Sequence, residues 1–240
     1  MADFDQYGQS YRKLLDQCVA LSGETSHYFA DYKAGYMAAA LGANGRRKKI
    51  LDYGCGVGLL SAALKKYFPG AIQHGYDVSA ASIASVDTSL AQSGCFTSDF
   101  GRLDNDYDAI VMAAVLHHVP VGERGNIFRD LSDRLAANGK LIVFEHNPLN
   151  PVTRWVVKQC AFDRDAVLVK PRHVIEHMRD AELRVIRRDY IVFFPRLLSG
   201  CRPVERFLGW CPIGAQYVIT AAKKSLTQID EYLNMNIGIR

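Results

Sequence analysis

Apolar positions along the chain follow two rhythms that alternate. Helical spacing links Tyr11, Leu14, Leu15, Cys18 and Val19, is broken by Ser22-Gly23, and resumes over 26–41. Short apolar runs follow at Ile50-Leu51, 71–76, 95–97, 107–112 and 140–145, and these read as buried strands. Between them, Leu60, Ala63, Leu64, Tyr67 and Phe68 fall on one helical face, and Ile127, Leu131 and Leu135 place a helix over 122–137. A further helix fits 171–181, and two late strands fit 185–194 and 215–222. Strand–helix alternation predicts an α/β domain with a parallel sheet and right-handed crossovers. The chain divides into an N-terminal helical part (1–45), a strand–helix core (46–150), a later part (151–223) and a tail (224–240). The tail reads as a peripheral helix or frayed end. The connection from Pro195 to Gly214 is unusually long, and long connections are often functional.

The core opens on Ile-Leu-Asp-Tyr-Gly-Cys-Gly-Val-Gly (50–58), followed by Gly-Tyr-Asp-Val-Ser ending at Ser79. A strand that ends in a glycine turn lets a ligand approach the backbone closely. An acid at the end of the next strand, Asp77, suits a ribose diol. A dinucleotide loop needs a third glycine where this chain has Leu59, which disfavours a nicotinamide oxidoreductase. No Lys-Ser or Lys-Thr follows the turn, so it is not a P-loop.

Asp52 two residues before Gly54-Cys55-Gly56-Val57-Gly58 resembles motif I of class I S-adenosylmethionine-dependent methyltransferases. The resemblance extends over roughly 48–146. It continues through Asp77-Val78, Ser98-Asp99-Phe100, the run from Tyr107 to Val119 and the stretch from Asn138 to Glu145. Val57 departs from it, since the family usually has a small hydroxyl residue there. The resemblance implies a Rossmann-like fold: a seven-stranded, mostly parallel sheet with an antiparallel last strand and helices on both faces. It implies S-adenosyl-L-methionine as cofactor and S-adenosyl-L-homocysteine as product. Asp77 would then hold the ribose hydroxyls, Val78 pack on adenine, Asp99 meet the adenine amino group and Phe100 wall the ring. Residues around Ala113 would pass under the methionine half. The N-terminal helices would form a lid, with Tyr7, Tyr11 and Tyr28 facing the sulfonium and Lys33 pairing with the methionine carboxylate.

Composition adds limits. The chain has 240 residues, enough for one domain, and 49% are hydrophobic, enough for a sizeable core. No apolar run approaches the roughly 18 residues of a membrane span. The N-terminus lacks the pattern of a signal peptide. The six cysteines contain no C-x-x-C pair, which suggests reduced thiols and a cytoplasmic location. A net charge of +4, with its basic run at Arg46–Lys49, does not spread over an aromatic-studded face, so nucleic acid is not an expected partner.

Methyl transfer needs an acceptor aligned with the donor, and a hydroxyl acceptor benefits from a general base. Strand-end loops supply His117-His118 and Glu145-His146. His117 is expected to face the acceptor, His118 to support its loop, and His146 to be an equal candidate, with Glu145 orienting it or binding the acceptor. The run His-Asn-Pro-Leu-Asn-Pro-Val-Thr (146–153) resembles a subgroup of bacterial small-molecule methyltransferases. No Asn/Asp-Pro-Pro-Tyr and no Pro-Cys follow the fourth strand, which disfavours nucleobase chemistry. Asp163, Asp165 and His173 form no tight ligand pattern, so no metal is expected. The expected reaction is O-methylation of a small molecule or a glycan-like, lipid-linked acceptor. N-methylation and a non-catalytic cofactor-binding subunit are the alternatives. Segment 195–214 mixes Arg196, Arg202 and Arg206 with Leu197, Leu198, Phe207 and Trp210. It reads as a substrate cover, a peripheral membrane contact or a short helix packed on the sheet edge.

Overall fold

Near-continuous burial along the central strands, on both faces of the sheet, explains why two helical layers are needed. A computed structural model describes residues 11–42, 47–160, 163 and 165–223, with side chains from residue 13 onward. In chain order the elements are α1 (Tyr11–Val19), α2 (Ser26–Leu41), β1 (Lys49–Tyr53), α3 (Leu59–Tyr67), β2 (Ile72–Tyr76), α4 (Ala80–Ala84), α5 (Thr88–Ser93) and β3 (Cys95–Thr97). They continue with β4 (Tyr107–Ala113), α6 (Arg124–Arg134), β5 (Leu135–His146), α7 (Pro151–Gln159), α8 (Pro171–Asp180), β6 (Leu183–Ile191) and β7 (Gln216–Lys223). Ile50, Val111, Ile142 and Phe144 pack against Met37 of α2 and Leu64 of α3. The alternate positions Leu51, Ile110, Met112 and Val143 pack against Phe128 of α6 and Met178 of α8. A sheet buried on both faces makes its strands read as continuous apolar runs.

The strand order is β3-β2-β1-β4-β5-β7-β6, with only β7 antiparallel to its neighbours. The chain leaves β1 toward β2 on one side and returns to β4 on the other. The resulting crevice at the carboxyl ends of these strands is where ligands bind in such sheets. Tyr53 is in register with Tyr76 and with Met112, so Gly54, Asp77 and Ala113 emerge together at that edge.

Two boundaries differ from the periodicity. The helix expected over 122–137 stops at Arg134, because Leu135 already pairs with Tyr107. A Cβ on Gly139 would lie 2.5 Å from the Tyr107 carbonyl oxygen, so this irregular stretch of β5 needs glycine. The strand expected to reach Phe194 ends at Ile191, where Val192 turns to φ 61°.

The long connection forms successive tight helical turns over Arg196–Phe207 with no residue buried. It is fastened to α2 and to the α1–α2 bend. Glu205 accepts from the Phe193 and Phe194 amides, each at 3.0 Å, and from the Tyr32 hydroxyl. Arg202 pairs with Glu24 at 2.7 Å and lies over the Tyr28 ring. Residues expected as a C-terminal tail lie outside the described residues.

Cysteine usage needs a correction. Cys18 at the end of α1 is joined to Cys160 just after α7, which the scattered spacing did not suggest. Four cysteines remain free. The bridge spans 142 residues, and chain-entropy arithmetic for that loop gives about 5 kcal/mol of stabilisation. Thiol titration of the protein unfolded without reductant should find the four free cysteines, and all six after reduction. Six before reduction would remove the bridge.

Candidate active site

The glycine turn after β1 is built from backbone conformations that side chains resist. Gly54, Gly56 and Gly58 have φ of 77°, 52° and 80°. A Cβ on Gly54 would also meet Val115 at 2.3 Å. The Gly54 and Cys55 amides donate to the Tyr76 carbonyl, and the Gly56 amide donates to Asp77 Oδ2 at 2.8 Å. Asp77 also accepts from the Ser79 amide, so the acid is set by the turn it faces. Asp52 is buried beneath the turn and accepts from Ser61 Oγ at 2.7 Å. Burial raises its pKa to about 7, with Asp77 adding to the rise and the Ser61 hydrogen bond and Lys33 opposing it. Cys55 is a buried wall residue whose thiol burial pushes up.

Cavities lie on both sides of this turn. One, of about 290 Å³, is lined by Tyr53, Tyr76, Asp77, Val78, Val115 and Ile127 among others, and His118 also faces it. Val78 is largely exposed at its edge. Phe100 supports this wall from behind, edge-on to the Tyr53 and Tyr76 rings. Ser98 and Asp99 are exposed, and Asp99 accepts from the Gly101 amide as a turn cap. The structure therefore does not bring Ser98 and Asp99 into the cavity lining.

The second cavity, of about 170 Å³, is lined by Ser26, Lys33, Asp52, Gly54, Ala113, His146 and Gln216 among others. Lys33 is buried and has no carboxylate in ion-pair distance among the described residues. Burial lowers its pKa to about 8, against the pull of Glu145 and Asp52. Ser26 Oγ and Gln216 Oε1 are buried without a hydrogen-bond partner among the described residues, although the Ser26 amide donates to Asp16 Oδ1 at 2.7 Å. A cation and two orphaned polar atoms in one cavity match a zwitterionic ligand, since buried polar groups otherwise find partners. Ser26 read only as a helix start and Gln216 as a residue near the start of the late strand over 215–222, so neither carried a motif. Tyr7 and the Tyr11 side chain lie outside the described residues. Tyr28 lines a third cavity instead.

That third cavity, of about 370 Å³, has mostly apolar walls that include Val19, Tyr28, Phe29, Val152, Val156 and Phe193. His146 and Gln216 line both it and the second cavity. The 146–153 run explains why this junction is fixed. Asn147 Nδ2 donates to the Pro212 and Gly214 carbonyls, each at 2.8 Å, and Asn150 Nδ2 donates to Ile213. Asn150 Oδ1 caps α7 through the Thr153 amide, with Pro151 opening the helix, and Thr153 Oγ1 donates to the Ala215 carbonyl. These bonds clamp residues 212–215 directly ahead of Gln216.

The histidines divide differently from the expectation. His117 is 2% exposed, and its Nδ1 meets Glu145 Oε2 at 2.7 Å while its Nε2 faces Asp163 Oδ1 at 3.4 Å. Burial opposes its charge, but Glu145 and Asp163 outweigh burial and hold its pKa up at about 10. His117 is thus a fixed cation away from the cavity walls, not an acceptor-facing base. Glu145 is consumed as well: Oε1 accepts from the Val115 and Leu116 amides at 3.0 and 2.7 Å. Asp163, which no motif marked, is held well below the usual carboxylate range by the two histidines in spite of burial. It also meets His118 Nε2 at 3.1 Å. The donor atoms of His117, His118 and Asp163 lie within 4.8 Å of one another. That separation fits a shared cation, and their mutual hydrogen bonds account for the same geometry. The His146 ring lies 5.0 Å from that of His117, tilted by 53°, and neither of its ring nitrogens has a hydrogen-bond partner among the described residues. Burial and the His117 charge lower its pKa to about 4, against Asp163 and Glu145, so the ring is neutral near pH 7.

Residues 51–141 match the family model described as a methyltransferase domain. The matched stretch runs from β1 through β4 into β5 and carries the glycine turn and Asp77. Solved structures carry the same fold. A SAM-dependent methyltransferase from Archaeoglobus fulgidus superposes with a TM-score of 0.64 at 14% identity, covering 83% of this chain and 95% of that one. A TehB-like SAM-dependent methyltransferase from Corynebacterium glutamicum gives 0.62 at 17%, covering 92% and 98%. Magnesium protoporphyrin IX methyltransferase from Synechocystis, with bound SAH, gives 0.61 at 18%, covering 87% and 86%. Comparison with curated protein sequences finds no match.

Within this fold, the cleft gathers Asp52, Gly54, Cys55, Gly56, Asp77, Val78, Ala113, Lys33 and His146 from the residues the sequence singled out. It leaves His117 and Glu145 behind the wall and Asp99 at a loop cap. No helix among the described residues is long and apolar enough to cross a membrane.

Proposed function

We propose that this methyltransferase binds S-adenosyl-L-methionine across the Gly54–Gly58 turn and methylates a hydroxyl of an acceptor held in the apolar cavity. The observation that carries the reading is the shared boundary: His146 and Gln216 line both the Lys33 cavity and the apolar one. Asp77 would take the ribose hydroxyls, Val78 would pack against adenine, and Lys33 would pair with the methionine carboxylate. Ser26 Oγ and Gln216 Oε1 would gain the partners they lack. When bound, the cofactor supplies a methyl group on a cationic sulfur and departs as S-adenosyl-L-homocysteine. The apolar cavity would hold the acceptor oxygen in line with that methyl, and His146 would receive the hydroxyl proton on transfer. A neutral imidazole with free nitrogens favours an oxygen acceptor over an amine, which can react without giving up a proton first. The apolar walls suit an acceptor with a substantial apolar portion, such as a lipid-linked saccharide. In this reading, 46–150 is the cofactor-binding part and the N-terminal helices form its lid within a single domain.

Calorimetry tests the cofactor assignment. Asp77→Ala should lose about 1.5–3 kcal/mol of S-adenosyl-L-homocysteine affinity, the range for hydrogen bonds to a charged group. Unchanged affinity would reject the ribose role.

A further inference from the structure

Leu21 (60% exposed) and Val152 (57% exposed) line the apolar cavity, as does exposed Pro195, and they mark where it opens. The surface beyond them is apolar as well. Leu149 precedes α7, and Trp155 lies one turn beyond Val152 on its outward side. Ile213 is tied to Asn150 by its carbonyl, and Trp210 precedes it by three residues. On the opposite lip, Arg196 packs on Gly23 and carries Leu197, which is 93% exposed. Isolated apolar side chains on a surface need no explanation, but several on the segments that border a cavity mouth mark an interaction site.

Charge selects the partner. Segment 149–160 contains Arg154 and Lys158 and no acid. Segment 195–214 contains Arg196, Arg202 and Arg206, and its one acid, Glu205, is turned inward onto the Phe193 and Phe194 amides. Arg154, Lys158, Arg196 and Arg206 are exposed. Tryptophan beside basic residues on these two segments, with Glu205 turned inward and the cavity-lining Glu24 paired to Arg202, is the composition of a surface that settles at an anionic headgroup layer.

We propose that the mouth of the apolar cavity docks on an anionic membrane surface, so that the acceptor enters from the lipid side. Docking stands on the surface alone; a lipid-borne acceptor also rests on the proposed methyl-transfer site.

The chain has two tryptophans, Trp155 one turn beyond Val152 on α7 and Trp210 in the long connection, 55% and 75% exposed. Intrinsic fluorescence of the full chain therefore reads this face without a buried tryptophan in the background. In buffer, iodide should quench the emission. Vesicles rich in phosphatidylglycerol should shift it to the blue and shield it from iodide, whereas phosphatidylcholine vesicles should do neither. Sedimentation with the anionic vesicles should weaken at least about tenfold in Arg154→Glu/Lys158→Glu, with melting temperature and S-adenosyl-L-homocysteine binding unchanged, as expected when two headgroup-facing charges are reversed. Shielding already present in buffer, concentration-dependent dimers that account for the shift, or no response to anionic vesicles would each overturn the docking proposal. Loss of cofactor binding in the wild-type chain would instead strike the methyl-transfer reading and leave docking standing.

Discussion

His146→Ala should lower methyl transfer by about 10²–10⁴-fold while leaving cofactor affinity near the wild-type value, the range for removing a positioned general base. The ring is open to both cavities and has no competing hydrogen bond, so its loss removes a proton acceptor and little else. Labelled-methyl turnover with an acceptor-containing extract, paired with calorimetry, separates the two effects. The pH profile gives a second check. Burial and the His117 cation lower the His146 pKa to about 4, so the base is already free at pH 6. The acid limb of the rate should therefore fall near pH 4, below the roughly 6.5 of an ordinary imidazole. A limb near the ordinary value would assign the proton to another histidine.

Glu145→Ala should have the largest effect on stability. It would remove the partner of a buried cation and strand the Val115 and Leu116 amides. Breaking a buried pair from one side costs about 3–5 kcal/mol. For a chain of this size that is a fall of roughly 6–20 °C in melting temperature. The dependence on pH follows from the two directions. The folded His117 pKa is raised to about 10, so its contribution is complete below its unfolded value and is lost as pH rises through about 10. Glu145 is lowered, in spite of burial, by His117, so its contribution is lost as acid protonates it. The wild type–variant difference should be widest near neutrality and shrink at both extremes. Thermal melts across pH would measure it. An equally stable Glu145→Ala would contradict the buried network.

Much of the core was legible because its signals are local. Consecutive residues form the glycine turn, and apolar runs made β1, β2, β3 and β4 readable along with α2. Asp77 was readable because register alone delivers it to Gly56. The histidines were not, because the direction of a loop side chain is set by tertiary partners. His117 turns inward to meet Asp163, 46 positions later and in a segment with no recognisable motif. Glu145 looked like a partner for His146, yet strand alternation places neighbours on opposite faces, and Glu145 reaches β4's loop instead. Asp99 followed a family pattern, but its carboxylate caps a turn. The Cys18–Cys160 bridge joins two helices that only the folded chain brings together. The 146–153 run was visible as distinctive, and its work became clear only once Asn147, Asn150 and Thr153 were seen gripping residues 212–215.

A crystal structure of the full chain with S-adenosyl-L-homocysteine tests the central claim most directly. The ribose should sit on Asp77, the carboxylate on Lys33, and the sulfur should face the boundary held by His146 and Gln216. A sulfur placed away from that boundary, with the apolar cavity out of its line, would contradict the account.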